Sequence, residues 1–341
     1  MMSLSRKKKY IKIFVVFFLV IFALVTAVYL LSKRSISENV QYGMSFNTMY
    51  ARELGLDWKE TYDAILDDLG VRHLRLAAHW PMVEPINNVY NFQELDYQLK
   101  KAEEVGADVI LAVGRRLPRW PECHIPQWAQ KLDAKQRQEE VLEYIEIVVN
   151  RYKDNPTIKY WQIENEPYLE VFAKEHCGEF DEEFFLKEVD LFRSLDDTHP
   201  FLITDSGNLG TWRGPYKHGD AFGTSVYVYF WNPELGQFKT VLPPWFYRAK
   251  ANIMKLLYGP KETMIIELSA EPWLLEPIVK VDLETQYSRM NLEKIEDILD
   301  YAHDIGFEKQ YLWGAEWWYW LKKQGYEEIW NKGKEVFNKK E

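Results

Sequence analysis

Eight times between residues 41 and 316 a short apolar run gives way to a longer stretch of helical period, and few folds accommodate that rhythm. The runs are QYGMSF (41–46), VRHLRLA (71–77), ADVILAV (107–113), IKYWQIE (158–164), FLIT (201–204), FGTSVYV (222–228), TMIIE (263–267) and QYLWGAE (310–316). Between them lie amphipathic stretches such as WKETYDAILDDLG, FQELDYQLKKAEEVG and QRQEEVLEYIEIVVNRY. Strands alternating with helices call for a buried parallel sheet covered by helices. Two helical stretches end on Gly at the joints GVRHL and GADVI, where a left-handed C-cap turns the chain back into a strand. Eight such units in one uninterrupted stretch, with no Gly/Ser linker, predict a single (β/α)8 barrel. The unit at 205–221 is too short for a full helix and two loops, so a short or absent helix is expected there.

The first 34 residues are a different material. Arg6, Lys7, Lys8 and Lys9 precede an apolar run from 14 to 31 whose only polar side chains are Thr26 and Tyr29. Extended back to Ile11, the run has the ~20 residues needed to span a bilayer as a helix. The basic cluster outweighs Lys33 and Arg34 on the far side, which predicts a cytoplasmic N-terminus and residues 35–341 as a domain outside the cytoplasm. The alternative is a cleaved signal peptide, although the run is long and no small-residue cleavage site follows it. Residues 1–34 carry seven Lys/Arg and no acid, so the rest of the chain holds 35 basic and 52 acidic residues, a net charge of −17. Such a domain does not seek nucleic acid or anionic lipid by charge. Its partner is expected to be neutral, and the 14 Trp and 21 Tyr suit either a binding cleft or an aromatic core.

The mouth of a barrel, at the C-terminal ends of its strands, is where chemistry sits. Strand two runs into HLRLAAHWPMVEP, strand four ends in WQIENEP, strand seven in IIELSAEPW and strand eight in WGAEWWYW. Carboxylates directly after apolar runs are costly to bury without a task or a partner. Glu166 and Glu267 stand three units apart around an eight-unit ring, so their strands lie nearly opposite. Two facing carboxylates are the minimal equipment for glycosidic bond cleavage: one protonates the leaving oxygen, the other attacks the anomeric carbon or activates water.

Over residues 41–320 the sequence resembles the large clan of retaining (β/α)8 glycoside hydrolases, in which an Asn-Glu pair ends strand four and a Glu ends strand seven. The matching residues are Asn165-Glu166, followed by Pro167, and Glu267. The resemblance implies Glu166 as acid/base, Glu267 as nucleophile, and retention of configuration on a β-glycoside. It further implies Arg75 and Tyr227 as the groups that keep the nucleophile ionised and aimed, Asn165 as a ligand of the sugar 2-hydroxyl, and Trp317 or Trp318 as the floor of the sugar site. No metal or organic cofactor is required by that chemistry.

Other readings of these residues stay open. Regular alternation would put Glu164 and Glu166 on one side of the strand with Asn165 opposite, leaving Glu164 as an alternative acid or a partner of Arg75. Glu271 and Glu316 are alternatives to Glu267, and Glu271 otherwise binds a sugar hydroxyl or caps a helix. His79 and Trp80 are candidates for the substrate site, and Trp120 and Trp128 for platforms at its edge. Cys123 and Cys177 follow strands three and four, whose loops emerge side by side, and outside the cytoplasm they are expected to pair. A non-catalytic carbohydrate-binding barrel has no need of the carboxylate pair. A metal-dependent isomerase would need His, Asp and Glu clustered at several strand ends, whereas the seven His are scattered. A transglycosidase uses the same residues as a hydrolase.

Overall fold

The computed structural model describes residues 4–32, 39–171 and 173–338. Eight parallel strands close into a barrel. They are β1 (Gln41–Ser45), β2 (His73–Ala77), β3 (Asp108–Val113), β4 (Ile158–Ile163), β5 (Phe201–Ser206), β6 (Ala221–Val226), β7 (Thr263–Ser269) and β8 (Lys309–Trp313). Each pairs with its neighbours in sequence, and β8 closes the ring on β1 from Gln41 opposite Lys309 to Met44 opposite Leu312. All eight expected strands are present.

The helices between them follow from their caps and stripes. Asp57 caps Trp58–Asp67 by accepting the N–H groups of Lys59 and Glu60, and Asp133 with Gln136 forms a capping box on Ala134–Tyr152. Val141, Tyr144, Ile145, Val148, Val149 and Tyr152 form the buried stripe of the latter. The β5–β6 connection holds only Arg213–His218, the short helix that its length allows. An antiparallel hairpin, Tyr229–Asn232 with Gly236–Lys239, rises after β6.

One strand ends earlier than its sequence suggests. QYLWGAE leaves the ladder at Trp313, because Gly314 takes φ 121 and a helix, Ala315–Lys323, begins at once. A Cβ at Gly314 would lie 2.9 Å from the Glu271 Cβ, so the turn needs glycine twice over.

The helix Leu4–Ser32 contains one stretch, Tyr10–Leu30, long and apolar enough to cross a membrane, with mean hydropathy 3.0 and its side chains exposed. Its C-terminal end touches the barrel. The Tyr29 ring meets Trp245 edge-on at 6.4 Å, and Arg248 Nε donates to the Ser32 carbonyl at 2.7 Å. Lys33, Arg34 and the boundary at 34/35, together with the side chains of Arg6 to Lys9, lie outside the described residues.

Candidate active site

Arg75 sits in the middle of β2, 1% exposed, and points into the barrel. Its guanidinium donates to four groups: Glu267 Oε1 (2.6 Å), Asn165 Oδ1 (2.7 Å), Gln162 Oε1 (2.8 Å) and the Ile266 carbonyl (3.4 Å). Tyr227, one residue past β6, donates from its hydroxyl to Glu267 Oε2 at 3.1 Å. Both Glu267 oxygens are therefore held by different partners, and the carboxylate has one orientation. Charge-assisted hydrogen bonds of this kind are about twice as strong as neutral ones. Glu267 lies inside β7, which continues to Ser269, rather than at its end.

The end of β4 does not alternate. Glu164 and Glu166 both take left-handed backbone, at φ 57 and 45. Such non-glycine conformations cost ~1–3 kcal/mol unless surroundings fix them. Here the Glu164 carboxylate accepts the backbone N–H groups of Arg115 (2.7 Å) and Arg116. The Asn165 N–H donates to the Arg116 carbonyl (2.6 Å), and the Glu166 N–H to Thr204 Oγ1 (2.8 Å). Gly114 has φ 138, and a Cβ there would meet Glu164 Oε1 at 2.6 Å. The expected alternation is thus overturned. Asn165 turns in to Arg75, and Glu164 turns to the β3 loop instead of pairing with Arg75.

Glu166 is buried, and its Oε1 has no hydrogen-bond partner. Burial first, then the Glu267 and Glu122 carboxylates, push its pKa well above the ordinary glutamate range. A carboxyl so placed favours its protonated form.

Around this centre the β3 loop supplies Arg119, which the sequence did not single out. Arg119 makes a two-pronged pair with Glu271 (2.6 and 3.3 Å) and lies against the Tyr50 ring and the Trp313 ring, 4.5 Å from the Trp313 centroid. Trp313 Nε1 also donates to Glu271 Oε1 at 2.8 Å. Glu316 Oε1 accepts the Asn47 N–H at 2.6 Å, and burial pushes its carboxyl up to about 7. A small cleft is lined by Ser45, Asn47, Arg75, Arg119, Trp313 and Glu316. His79 borders it, buried, with Nε2 3.3 Å from Asn47 Nδ2 and its ring against His124.

Three aromatic expectations are corrected. Trp317 and Trp318 are 0% and 1% exposed on the helix after β8, where strand alternation does not operate. Their indole N–H groups bond to Gln286 Oε1 and the Ala270 carbonyl, and the tryptophan that lines the cleft is Trp313. Trp80 is fully buried against Tyr144 and Trp128, with Nε1 on Glu84 Oε2, and so does not line the cleft. Trp128 is tied to the Glu84 carbonyl, and Trp120 lies 60% exposed against His176. The expected disulfide is present: Cys123 and Cys177 are bonded, with Cα atoms 5.3 Å apart, and join the β3 loop to the β4 loop.

Residues 130–258 match the model of the Glyco_hydro_42 family, described as beta-galactosidase. The chain is 21% identical over 199 residues to the beta-galactosidase Bga of Halorubrum lacusprofundi, a match covering 53% of this chain and 25% of that one. Among solved structures it is similar to a β-galactosidase from Rahnella sp. R3, with TM-score 0.54 and 12% identity over 82% of this chain and 51% of that one. It is similar also to GH5_18 from Bifidobacterium longum subsp. longum (TM-score 0.54, 15% identity, 81% and 70% covered). A third likeness is to xylanase 10B from Thermotoga petrophila RKU-1 in complex with xylobiose (TM-score 0.52, 15% identity, 81% and 82% covered). The chain thus spans about a quarter of the curated relative and about half of the Rahnella enzyme. At these identities the structural likeness is one of fold. The similarity to (β/α)8 glycoside hydrolases drawn from the strand-end residues is borne out.

Proposed function

We propose that this barrel hydrolyses β-linked glycosides by double displacement, with Glu166 as acid/base and Glu267 as nucleophile. The observation that carries the reading is the arrangement of the two carboxyls. Glu267 is clamped by Arg75 and Tyr227, while Glu166 is buried with an unpaired oxygen and favours its protonated form. In the first step Glu267 attacks the anomeric carbon. The bond to the leaving oxygen breaks as that oxygen takes the Glu166 proton. In the second, water attacks the glycosyl-enzyme, its proton returns to Glu166, and Glu267 is released. Asn165, with its Oδ1 held by Arg75, offers its amide N–H groups to the sugar 2-hydroxyl. The two charges raise and lower each other's protonation in turn, which lets one carboxyl serve as acid and then as base.

The family-model match favours a β-galactoside as first substrate. Residues 1–34 act as a cytoplasmic tip and membrane anchor, and residues 35–341 as one catalytic domain outside the cytoplasm. The disulfide supports that side of the membrane. The test is turnover of aryl β-glycosides, galactoside first, by the detergent-solubilised chain and its Glu267→Gln variant. Loss of turnover in the variant by ~10³-fold or more is expected, a scale typical of removing a nucleophile. Equal turnover by both, or none by the parent on any β-glycoside, would refute the reading.

A further inference from the structure

We propose that Glu122, on the disulfide-tethered loop after β3, is a specificity-determining and positioning carboxylate that receives the leaving-group side of the substrate. This rests on the assignment of Glu166 as acid/base.

Glu122 sits at the tip of a loop in left-handed backbone, φ 65, which its surroundings impose. Its N–H donates to the Arg119 carbonyl (2.7 Å), and its own carbonyl accepts the Leu117 N–H (2.8 Å). The next residue, Cys123, is bonded to Cys177. Arg116 fixes the side chain, with Nε 2.8 Å and Nη2 2.6 Å from a single oxygen, Oε2. Arg116 is itself anchored on the β4 loop: Nη1 donates to the Leu169 carbonyl (2.8 Å), and its carbonyl accepts the Asn165 N–H (2.6 Å). The residue before Glu166 and the residue that steers Glu122 are thus bonded directly. With Oε2 taken up by Arg116, the other oxygen remains to face solvent in a side chain 18% exposed.

The mouth is divided between two ion pairs. Glu271 with Arg119, beside Trp313, closes the flank nearest β8 and β1. Glu122 with Arg116 closes the flank of β3 and β4, where Glu166 delivers its proton. The sugar that departs leaves past Glu166, so a carboxylate oxygen on this flank meets hydroxyls of the leaving sugar. Glu122 also acts on Glu166 through space. The charged and titratable groups that bear on Glu166 include Glu267, Glu122, Asp205 and Tyr227; Glu122 is itself pushed up by burial first and by Glu267, against the Arg116 and Arg75 guanidiniums that favour its charge. A negative Glu122 favours the protonated acid.

The test compares the parent, Glu122→Gln and Cys123→Ser/Cys177→Ser on 4-nitrophenyl β-galactoside and on lactose. Nitrophenolate needs no proton and carries no hydroxyl for Glu122, whereas the leaving glucose needs both. Glu122→Gln should lower kcat/KM for lactose about tenfold more than for the aryl galactoside, the scale of one hydrogen bond to a charged group. It should also move the alkaline limb of the lactose profile down by about one pH unit, the usual size of one nearby charge. The double Ser variant keeps the carboxylate but frees its loop, and should change in the same direction by less. Circular dichroism establishes that each variant folds. Equal losses on both substrates with an unmoved limb overturn the inference while leaving Glu166 and Glu267 in their roles. Absence of Glu267-dependent turnover in the parent overturns the underlying assignment and the inference with it.

Discussion

Replacing Arg75 by Met keeps most of the side-chain volume and removes the charge at the centre of the site. Four groups lose a donor, and one of them is the Glu267 carboxylate, whose remaining partner is the Tyr227 hydroxyl. Arg75 is 1% exposed and Glu267 4%, so water cannot easily replace it. Breaking a buried pair from one side costs about 3–5 kcal/mol, because a charge is left uncompensated. At ~2.1 cal/mol/K of unfolding entropy per residue over ~300 barrel residues, that is a fall in Tm of about 5–8 °C. Adding Glu267→Gln removes the stranded charge, so the double variant should be more stable than Arg75→Met alone, and the two costs should fall short of additivity by about 2 kcal/mol, within the usual range for contacting residues. Denaturant unfolding of the four proteins, followed by circular dichroism, measures the cycle. Additive costs, or a loss under about 1 kcal/mol for Arg75→Met, would refute the view that Arg75 exists to hold Glu267.

Glu166 has a folded pKa above its unfolded value, so protonation stabilises the native state, and its contribution is lost as pH rises from about 4 towards the folded pKa. Glu166→Gln should therefore be more stable than the parent at pH 8, with the gap closing by pH 4; pH-dependent melting measures it. Replacing Cys123 and Cys177 by Ser should cost about 2–4 kcal/mol by freeing a loop of sequence separation 54, and thiol titration of the unfolded, unreduced chain should find no free thiol. Deleting residues 1–32 removes the Tyr29–Trp245 contact and the Arg248–Ser32 hydrogen bond, which together contribute about 1–2 kcal/mol, so a soluble and active barrel is expected. Sedimentation and activity of the truncated chain check this.

The barrel was legible because buried parallel strands are continuous apolar runs, and helix ends carry their own caps. Glu166 and Glu267 stand out for the same reason, because they interrupt or terminate those runs, where a polar group is costly; Arg75 and Asn165 follow only from the family resemblance. What alternation could not convey was the end of β4. Two left-handed residues there, Glu164 and Glu166 on either side of Asn165, are held by tertiary bonds to Arg115, Arg116 and Thr204, which no local pattern encodes. Trp317 and Trp318 were misread because the strand pattern was carried through Gly314. The spacing of Trp317, Trp320 and Leu321 after it is helical, and that signal was available in the sequence. Arg119 and Glu122 lie in a loop without periodicity. Arg119 is placed by Glu271, and Glu122 by Arg116 beside the disulfide, and only the folded chain brings these together.

The division of labour between Glu166 and Glu267 is tested most directly by trapping the covalent intermediate. A 2-deoxy-2-fluoro glycosyl fluoride, of the sugar that the parent protein turns over, slows both steps but leaves without protonation, so the glycosyl-enzyme accumulates. Proteolysis and mass spectrometry then locate the label. A fluoroglycosyl ester on Glu267, absent from Glu267→Gln and formed in Glu166→Gln, is the expected result. A label on Glu166, Glu271 or Glu316, or rapid turnover of the unlabelled enzyme to the inverted product, would contradict it.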